Sequence, residues 1–358
     1  MPDLEFLKNI NWTNSLCRKA GLTLAALLLF VLMLTTHAPK SSAKDGDSSS
    51  QKSEESSQAE QKPKYDTVYV KLDNELVKNG GLIGLDNKDH SYVSDGSGFV
   101  TIYPYLFNQK GEQVMSTSST NISGTKEMME QLNAMVSDFA AQTGLKTIMV
   151  TNASYLVDGK LYMTQYDVPQ DGANNKAANS GSGNLSSGGC YEHLTGLAID
   201  LQLYEADKGT YPEFTGEGQY AWINENCYKY GFVQRYPANK QEVTGAAEKK
   251  NHYRYVGKVY AKIMHDNDLA LEELHAFLDK YSYEKPLNVD GIDGKNYIVY
   301  SALAEKDKTV TSVPHPDTGK DGELWANYSG IDNGRIYICV VVDSTSAPVA
   351  SAESSKTE

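Results

Sequence analysis

The sequence predicts an α+β fold extended by a small β-rich unit at its C-terminal end. Three patterns lead there. Met128, Met129, Leu132, Met135, Val136 and Phe139 recur at three- and four-residue spacing, the period of an amphipathic helix over Lys126–Ala141. Between 197 and 203, Leu197, Ile199, Leu201 and Leu203 alternate with Ala198, Asp200 and Gln202, the period of a strand buried on one face. After Pro286 the helical spacing stops, and Asn296–Ala302, Thr309–Val313, Leu324–Tyr328 and Ile336–Val342 read as strands between polar turns.

Composition narrows the function. The chain has 358 residues, 46 acidic against 33 basic, and a formal net charge of −13. That balance excludes a nucleic-acid binder, which needs a basic footprint. Arginine is scarce: only Arg18, Arg235, Arg254 and Arg335 occur, whereas proteins that grip many phosphates or carboxylates use more. Tyr outnumbers Phe 24 to 8, so the aromatic surface is expected to be partly wet. Four cysteines are too few for a disulfide scaffold.

Residues 20–36 form a 17-residue run without charge, preceded by Lys8, Arg18 and Lys19. As a helix it would span about 25 Å, slightly short of a ~30 Å hydrocarbon core. The basic flank places the N-terminus in the cytoplasm and the remainder outside. The run is either an uncleaved anchor or a signal segment cut after Ser41-Ser42-Ala43. Residues 1–39 are therefore read as the cytoplasmic N-terminus and transmembrane segment. Residues 40–65 are read as a disordered tether, because Lys40–Lys64 offers almost nothing to bury. The main domain is expected over 66–286, the β-rich unit over 287–343 and a second disordered segment over 344–358.

Within the main domain, Thr67–Leu72, Gly81–Leu85 and Phe99–Tyr103 read as short strands, the last ending at Pro104. Gly144 stops the 126–141 helix, and Thr147–Val150 returns as a buried strand. The methionine stripe is read as core. Asp171–Gly189 holds five Gly, four Ser and four Asn in 19 residues, a long irregular loop of the kind that is functional or disordered. Helices are expected over Lys258–Asn267 and Leu269–Tyr281, with His265 and His275 as surface residues on them.

The loop leads into Cys190-Tyr-Glu-His193-Leu-Thr-Gly196-Leu-Ala-Ile-Asp200. Gly196 allows a tight turn between His193 and the strand that carries Asp200. An imidazole and a carboxylate converging there suit two positions of a tetrahedral zinc, with a third ligand from elsewhere and the fourth position left for water. His252 is the best third candidate. His37 is in the leader, His90 in a turn and His315 between prolines. Composition and spacing leave this trio as one reading among several.

His-x-x-Gly-x-Ala-x-Asp at 193–200, followed by His-Tyr-Arg-Tyr-Val-Gly at 252–257, resembles the zinc D-alanyl-D-alanine carboxypeptidases of the VanY type. These belong to the LAS group, with the lysostaphin-like peptidases and the hedgehog signalling domain. The likeness runs from about Leu76 to Pro286 and includes Glu75–Ile83, Tyr230–Pro237 and Thr244-Gly245. It implies a LAS/hedgehog-type domain, an antiparallel sheet with helices packed on it. It also implies one Zn2+ on His193, Asp200 and His252, an extracellular site, and removal of the terminal D-Ala from peptidoglycan stem peptides. The membrane is then a partner only through the N-terminal helix.

The departures matter as much. The family carries Glu-x-x-His, with Glu as general base, where this chain has Lys249-Lys250-Asn251-His252. Lys249 thus stands at the base position, and Glu248, one residue further away, is the nearest preceding acid; Glu192, beside His193, is a second candidate. The family's Ser two residues before the first histidine is Tyr191 here. Its Ser-Gly-Tyr-Arg stretch, whose Arg holds the substrate carboxylate, corresponds to Thr151-Asn152-Ala153-Ser154, leaving Arg235 and Arg254 as candidates for that role. The alternative is a catalytically impaired, zinc-containing homologue that binds cell wall or regulates. Cys190 and Cys227 are a candidate bridge, Cys339 a buried thiol, and Trp325 and Tyr328 core residues.

Overall fold

A computed structural model describes residues 65–71, 81–84, 94, 96–162, 192–304, 310–316, 326–330 and 334–342. The 20–36 run, the tether, the 171–189 loop, His90, Cys190, Tyr191, Trp325 and the C-terminal tail lie outside them. Among the described residues no helix is long and apolar enough to cross a membrane.

Along the chain the elements are β1 (Tyr65–Lys71), β2 (Phe99–Thr101), β3 (Ser116–Thr117), β4 (Ile122–Thr125), α1 (Lys126–Thr143), β5 (Ile148–Asn152), β6 (Ser154–Val157), β7 (Lys160–Tyr162) and β8 (Ala198–Leu203). Then follow α2 (Ala221–Asn226), β9 (Phe232–Tyr236), α3 (Gln241–Thr244), β10 (Lys249–Tyr255), α4 (Lys258–Asp266) and α5 (Leu271–Leu278). The C-terminal part adds β11 (Leu287–Ile292), β12 (Lys295–Leu303), β13 (Val310–Pro316), β14 (Ala326–Ser329) and β15 (Arg335–Val342). The result is an α+β fold, as expected.

Helix α1 forms where its periodicity placed it. Thr125 caps it by accepting from the Met128 N–H at 3.3 Å, and Gly144 ends it at φ 75°. Its methionine stripe is core: Met128, Met129, Leu132, Met135, Val136 and Phe139 are fully buried against Ile148 and Val150 of β5, Ile199 and Leu201 of β8 and Tyr253 of β10. Burying one such side chain contributes roughly 1.5–3 kcal/mol, so this face anchors the sheet.

That sheet runs β3-β5-β8-β10-β9 and is antiparallel except for the short β3–β5 pair. Its register brings His252 of β10 and Asn152 of β5 opposite Asp200 of the central β8. The apolar side chains of β8 face the core and Asp200 the other side, as the alternation predicted. A second sheet, β2-β4-β6-β7, packs beside the entry to β8. Gly196 takes φ +70°, and a Cβ there would strike the Phe99 ring, so the turn requires glycine twice over.

The expected division at 286 is crossed by the chain itself. β1 pairs along its whole length with β13, from Tyr65↔Pro316 to Lys71↔Val310. The segment expected as a strand over Gly81–Leu85 is a single 3-10 turn, Gly81–Ile83. Three elements hold it: Leu82 N–H donates to Ser329 Oγ of β14 at 3.1 Å, Arg254 of β10 reaches the Leu82 and Gly84 carbonyls at 3.3 Å, and His275 of α5 donates to the Ile83 carbonyl at 2.9 Å. Contacts with partners so far away in sequence override a local strand preference.

Other departures have similar causes. Strands β4, β6 and β7 are short, β11 carries Asn288, Asp290 and Gly291 among its six residues, and β10 opens with the polar Lys249-Lys250-Asn251, so neither alternation nor apolar content announced them. After β2 the chain enters a 3-10 turn at Tyr103–Leu106, with Pro104 at its start. His275, expected at the surface, is buried and stacks on Tyr337 of β15 at 4.7 Å; His265 is exposed. Cys227 is a free thiol whose pKa burial pushes up to about 12, and Cys339 is likewise a buried free thiol.

Burial lowers the His275 pKa below its ordinary 6.5, so the neutral ring stabilises the fold above that pH and the contribution is lost as pH falls. We expect His275→Gln to cost about 1–3 kcal/mol at pH 7.5, the scale of a buried hydrogen bond left unmade. In circular-dichroism melts the gap between wild type and variant narrows as pH drops through 6.5.

Candidate metal centre

The chain enters β8 through a 3-10 turn, Glu192–Thr195. Thr195 Oγ1 donates to the Glu192 carbonyl at 2.6 Å and accepts from Leu197 N–H at 3.2 Å, and Gly196 N–H donates to the His193 carbonyl at 2.9 Å. This winding turns both Glu192 and His193 inward. They are 1% and 3% exposed.

The structure brings His193, Asp200 and His252 together: one ligand-type atom from each lies within 4.8 Å of the others. His252 Nδ1 is 2.6 Å from Asp200 Oδ1, and His193 Nε2 is 3.4 Å from the same oxygen. Asn152 Nδ2 donates to Asp200 Oδ2 at 3.1 Å and lies 3.1 Å from His193 Nδ1. His193 Nε2 is buried without a hydrogen-bond partner, the state of a nitrogen whose natural partner is a cation. Two imidazoles and a carboxylate are also the donor set that suits a zinc-like ion.

Behind the trio sits a buried ionic network. Glu192 Oε2 takes His252 Nε2 at 2.9 Å, and its Oε1 accepts from Arg235 Nε at 3.0 Å and Arg254 Nη1 at 2.9 Å. Arg235 also makes a two-pronged contact with Glu272 of α5, at 3.0 and 2.7 Å. A carboxylate fixing the far nitrogen of a histidine sets its tautomer and leaves Nδ1 for a ligand. With neutral imidazoles, Glu192, Asp200 and Glu272 outnumber Arg235 and Arg254 by one negative charge, which further favours a cation.

The protonation states follow. Burial alone would raise the Glu192 pKa, but Arg235, Arg254 and His252 overcome it and hold the carboxyl well below its usual range. Burial likewise pushes Asp200 up, and His193 and His252 more than offset it, leaving a carboxylate. Burial disfavours protonated His252, yet Asp200 and Glu192 raise its pKa overall.

Three other sequence candidates are placed away from the roles expected of them. Arg235 and Arg254, expected to hold a substrate carboxylate, are 2% and 0% exposed and committed to Glu192; Arg235 also holds Glu272 and Arg254 the Leu82 and Gly84 carbonyls. Glu248 is exposed just before β10, near Lys250, which itself pairs with Glu217 at 3.1 Å. Lys249 instead extends over the Tyr236 ring, 5.5 Å from its centroid, and Tyr236 stacks on His252 at 5.4 Å. A register shift between Lys249 and Tyr253 accompanies this placement. Sequence reasoning missed Asn152 and Glu272, for which no motif exists, and underrated Glu192, whose one signal is adjacency to His193.

Comparison with known proteins agrees with the geometry. Residues 121–258 match the family model described as VanY, D-alanyl-D-alanine carboxypeptidase. The D-alanyl-D-alanine carboxypeptidase of Enterococcus faecium is 29% identical over 191 residues, 53% of this chain and 55% of that protein. The D-alanyl-D-alanine carboxypeptidase of Enterococcus faecalis is 44% identical over 85 residues, 24% of this chain and 30% of that one. The chain thus spans about half or less of the length of these curated relatives. A solved structure of the vancomycin-resistance D,D-dipeptidase VanXYg, in complex with a D-Ala-D-Ala phosphinate analog, superposes with a TM-score of 0.53 at 21% identity, covering 78% of this chain and all of that one, which establishes the shared fold. Over residues 121–258 the chain is thus similar to the VanY family.

Glu192→Gln keeps the shape and removes the charge that balances two buried arginines. We expect about 3–5 kcal/mol of lost stability in denaturant titrations and about 10–100-fold weaker zinc binding in a chelator competition.

Proposed function

We propose that the protein is a zinc peptidase that removes the C-terminal D-alanine from peptidoglycan stem peptides. The observation that carries this is the convergence of His193, Asp200 and His252, backed by Glu192, inside the stretch similar to the VanY family. These three residues would hold one zinc ion. Zinc supplies Lewis acidity, polarising a scissile carbonyl and acidifying water. We also place the domain outside the cell membrane, held by residues 20–36, because Lys8, Arg18 and Lys19 precede that run.

The chain's own residues define the remaining chemistry. Glu192 orients His252 through Nε2 and so turns its Nδ1 toward Asp200, the side on which a ligand role would be played. Asn152 fixes the Asp200 carboxylate from the neighbouring strand. Hydrolysis also needs a group that takes a proton from water and passes it to the leaving amine. Lys249 stands where the resemblance implies that base, and an ammonium has no lone pair to accept a proton. Losing a general base costs roughly 10²–10⁴ in rate, so slow turnover is expected. This one position favours a second reading, a zinc-containing module that binds stem peptides without cutting them.

The test is release of D-alanine from a peptide ending in D-Ala-D-Ala by zinc-loaded protein. Lys249→Glu is expected to raise the rate at least about tenfold, within the range a positioned base contributes. Chelation is expected to abolish release in both proteins. No release by either variant, each carrying stoichiometric zinc, would leave the binding module as the function.

A further inference from the structure

The first turn of α5 carries two adjacent acids with different partners. Glu273 serves the helix itself: it accepts from the Ala270 N–H at 2.8 Å and pairs with Lys240 at 3.0 Å, the capping contact an acid makes at a helix start. Glu272 turns to β9 and takes the fork of Arg235, Nη1 at 3.0 Å and Nη2 at 2.7 Å. The Glu272 side chain is 19% exposed and that of Arg235 2%, so solvent and salt screen the pair little.

Arg235 is in turn tied to His252 by two routes. Its Nε donates to Glu192 Oε1 at 3.0 Å, and Glu192 Oε2 meets His252 Nε2 at 2.9 Å. Its guanidinium also lies 4.7 Å from the centroid of the Tyr236 ring, and that ring stacks on His252 at 5.4 Å. The first route reaches the edge of the imidazole and the second its face. Where Arg235 sits therefore bears on both the rotation and the tilt of a candidate metal ligand.

The guanidinium is a rigid planar fork, and two carboxylates hold it from different sides. Glu192 takes the Nε side and Glu272 the two terminal nitrogens. Without the Glu272 carboxylate, both terminal nitrogens of a buried cation lose a charged acceptor, and Arg235 is held at one end only. Charge acts in the same direction. Glu192 by itself faces Arg235 and Arg254, a surplus of one positive charge directly behind a histidine placed for a cation. Glu272 cancels that surplus.

We propose that Glu272 is a positioning residue of the metal centre: from α5, through Arg235, it fixes His252 and sets the affinity of the trio for zinc. This rests on the reading of His193, Asp200 and His252 as a zinc centre.

Competition for zinc against a chromophoric chelator, on the full-length protein well below its melting temperature, tests it. Glu272→Gln is expected to weaken zinc binding about tenfold, the lower end of the range for outer partners of metal-bound histidines. Glu272→Asp, which keeps the charge, is expected to recover about threefold or more of that loss. Glu273→Gln is the control, because it loosens the same turn of α5 without touching Arg235. It is expected to lower the melting temperature and to leave zinc affinity within about twofold of wild type. Arg235→Lys keeps the charge count and loses the fork, and it carries the test where Glu272→Gln does not fold. Its zinc binding is expected to be about fivefold weaker or more.

Wild-type zinc affinity in folded Glu272→Gln or in Arg235→Lys would overturn the proposal. Equal losses in Glu272→Gln and Glu273→Gln would do the same, since they would reduce Glu272 to a support of the helix. So would a Glu272→Asp variant that binds zinc no better than Glu272→Gln. A wild-type protein that takes up no stoichiometric zinc would instead overturn the zinc reading, and the proposal with it.

Discussion

One buried carboxylate organises this molecule. Glu192 sits at 1% exposure, where an unpaired charge is very costly, and three cationic or hydrogen-bonding groups converge on it from two strands. The scarcity of arginine becomes intelligible there. Of the three arginines beyond the leader, two serve this single side chain, and so neither is available to grip a substrate. The same contacts extend outward. Arg235 ties β9 to α5 through Glu272, and Arg254 ties β10 to the 81–84 turn, which in turn meets β14 and His275. The candidate metal centre and the C-terminal sheet are joined through one chain of charged and hydrogen-bonded groups.

Much of this was legible in the chain because it is written locally. The alternation at 197–203 placed Asp200 on the side of β8 away from the core, and the 3.6-residue stripe placed α1 across the sheet. The glycine at 196 was legible for the same reason, since a positive φ is a local demand. What stayed hidden depends on partners distant in sequence. Nothing near Gly81 says that its carbonyl-rich turn will be held by Arg254 and His275, and nothing near Tyr65 says that β1 will pair with β13. Asn152 is an ordinary residue until the register sets it opposite Asp200.

On the proposed function, Lys249 is the position that separates catalysis from binding. The trio and its supporting carboxylate are complete, and they ask only for a cation. Proton transfer needs one more group, on a strand whose register shifts just before His252. One side chain at that shift decides whether the proposed centre turns its substrate over quickly or mainly holds it. Such a division suits a chain in which the ligand set is fixed by a buried network and the base position is only half-buried.

The claim on which the rest stands is that His193, Asp200 and His252 hold one zinc ion. Zinc K-edge absorption on the protein loaded with a single equivalent reads that shell directly. The expected result is one zinc per chain in a nitrogen and oxygen environment containing two imidazoles, with the signal lost in His252→Ala. A sulfur-containing shell, or stoichiometric zinc retained by His252→Ala, would contradict it.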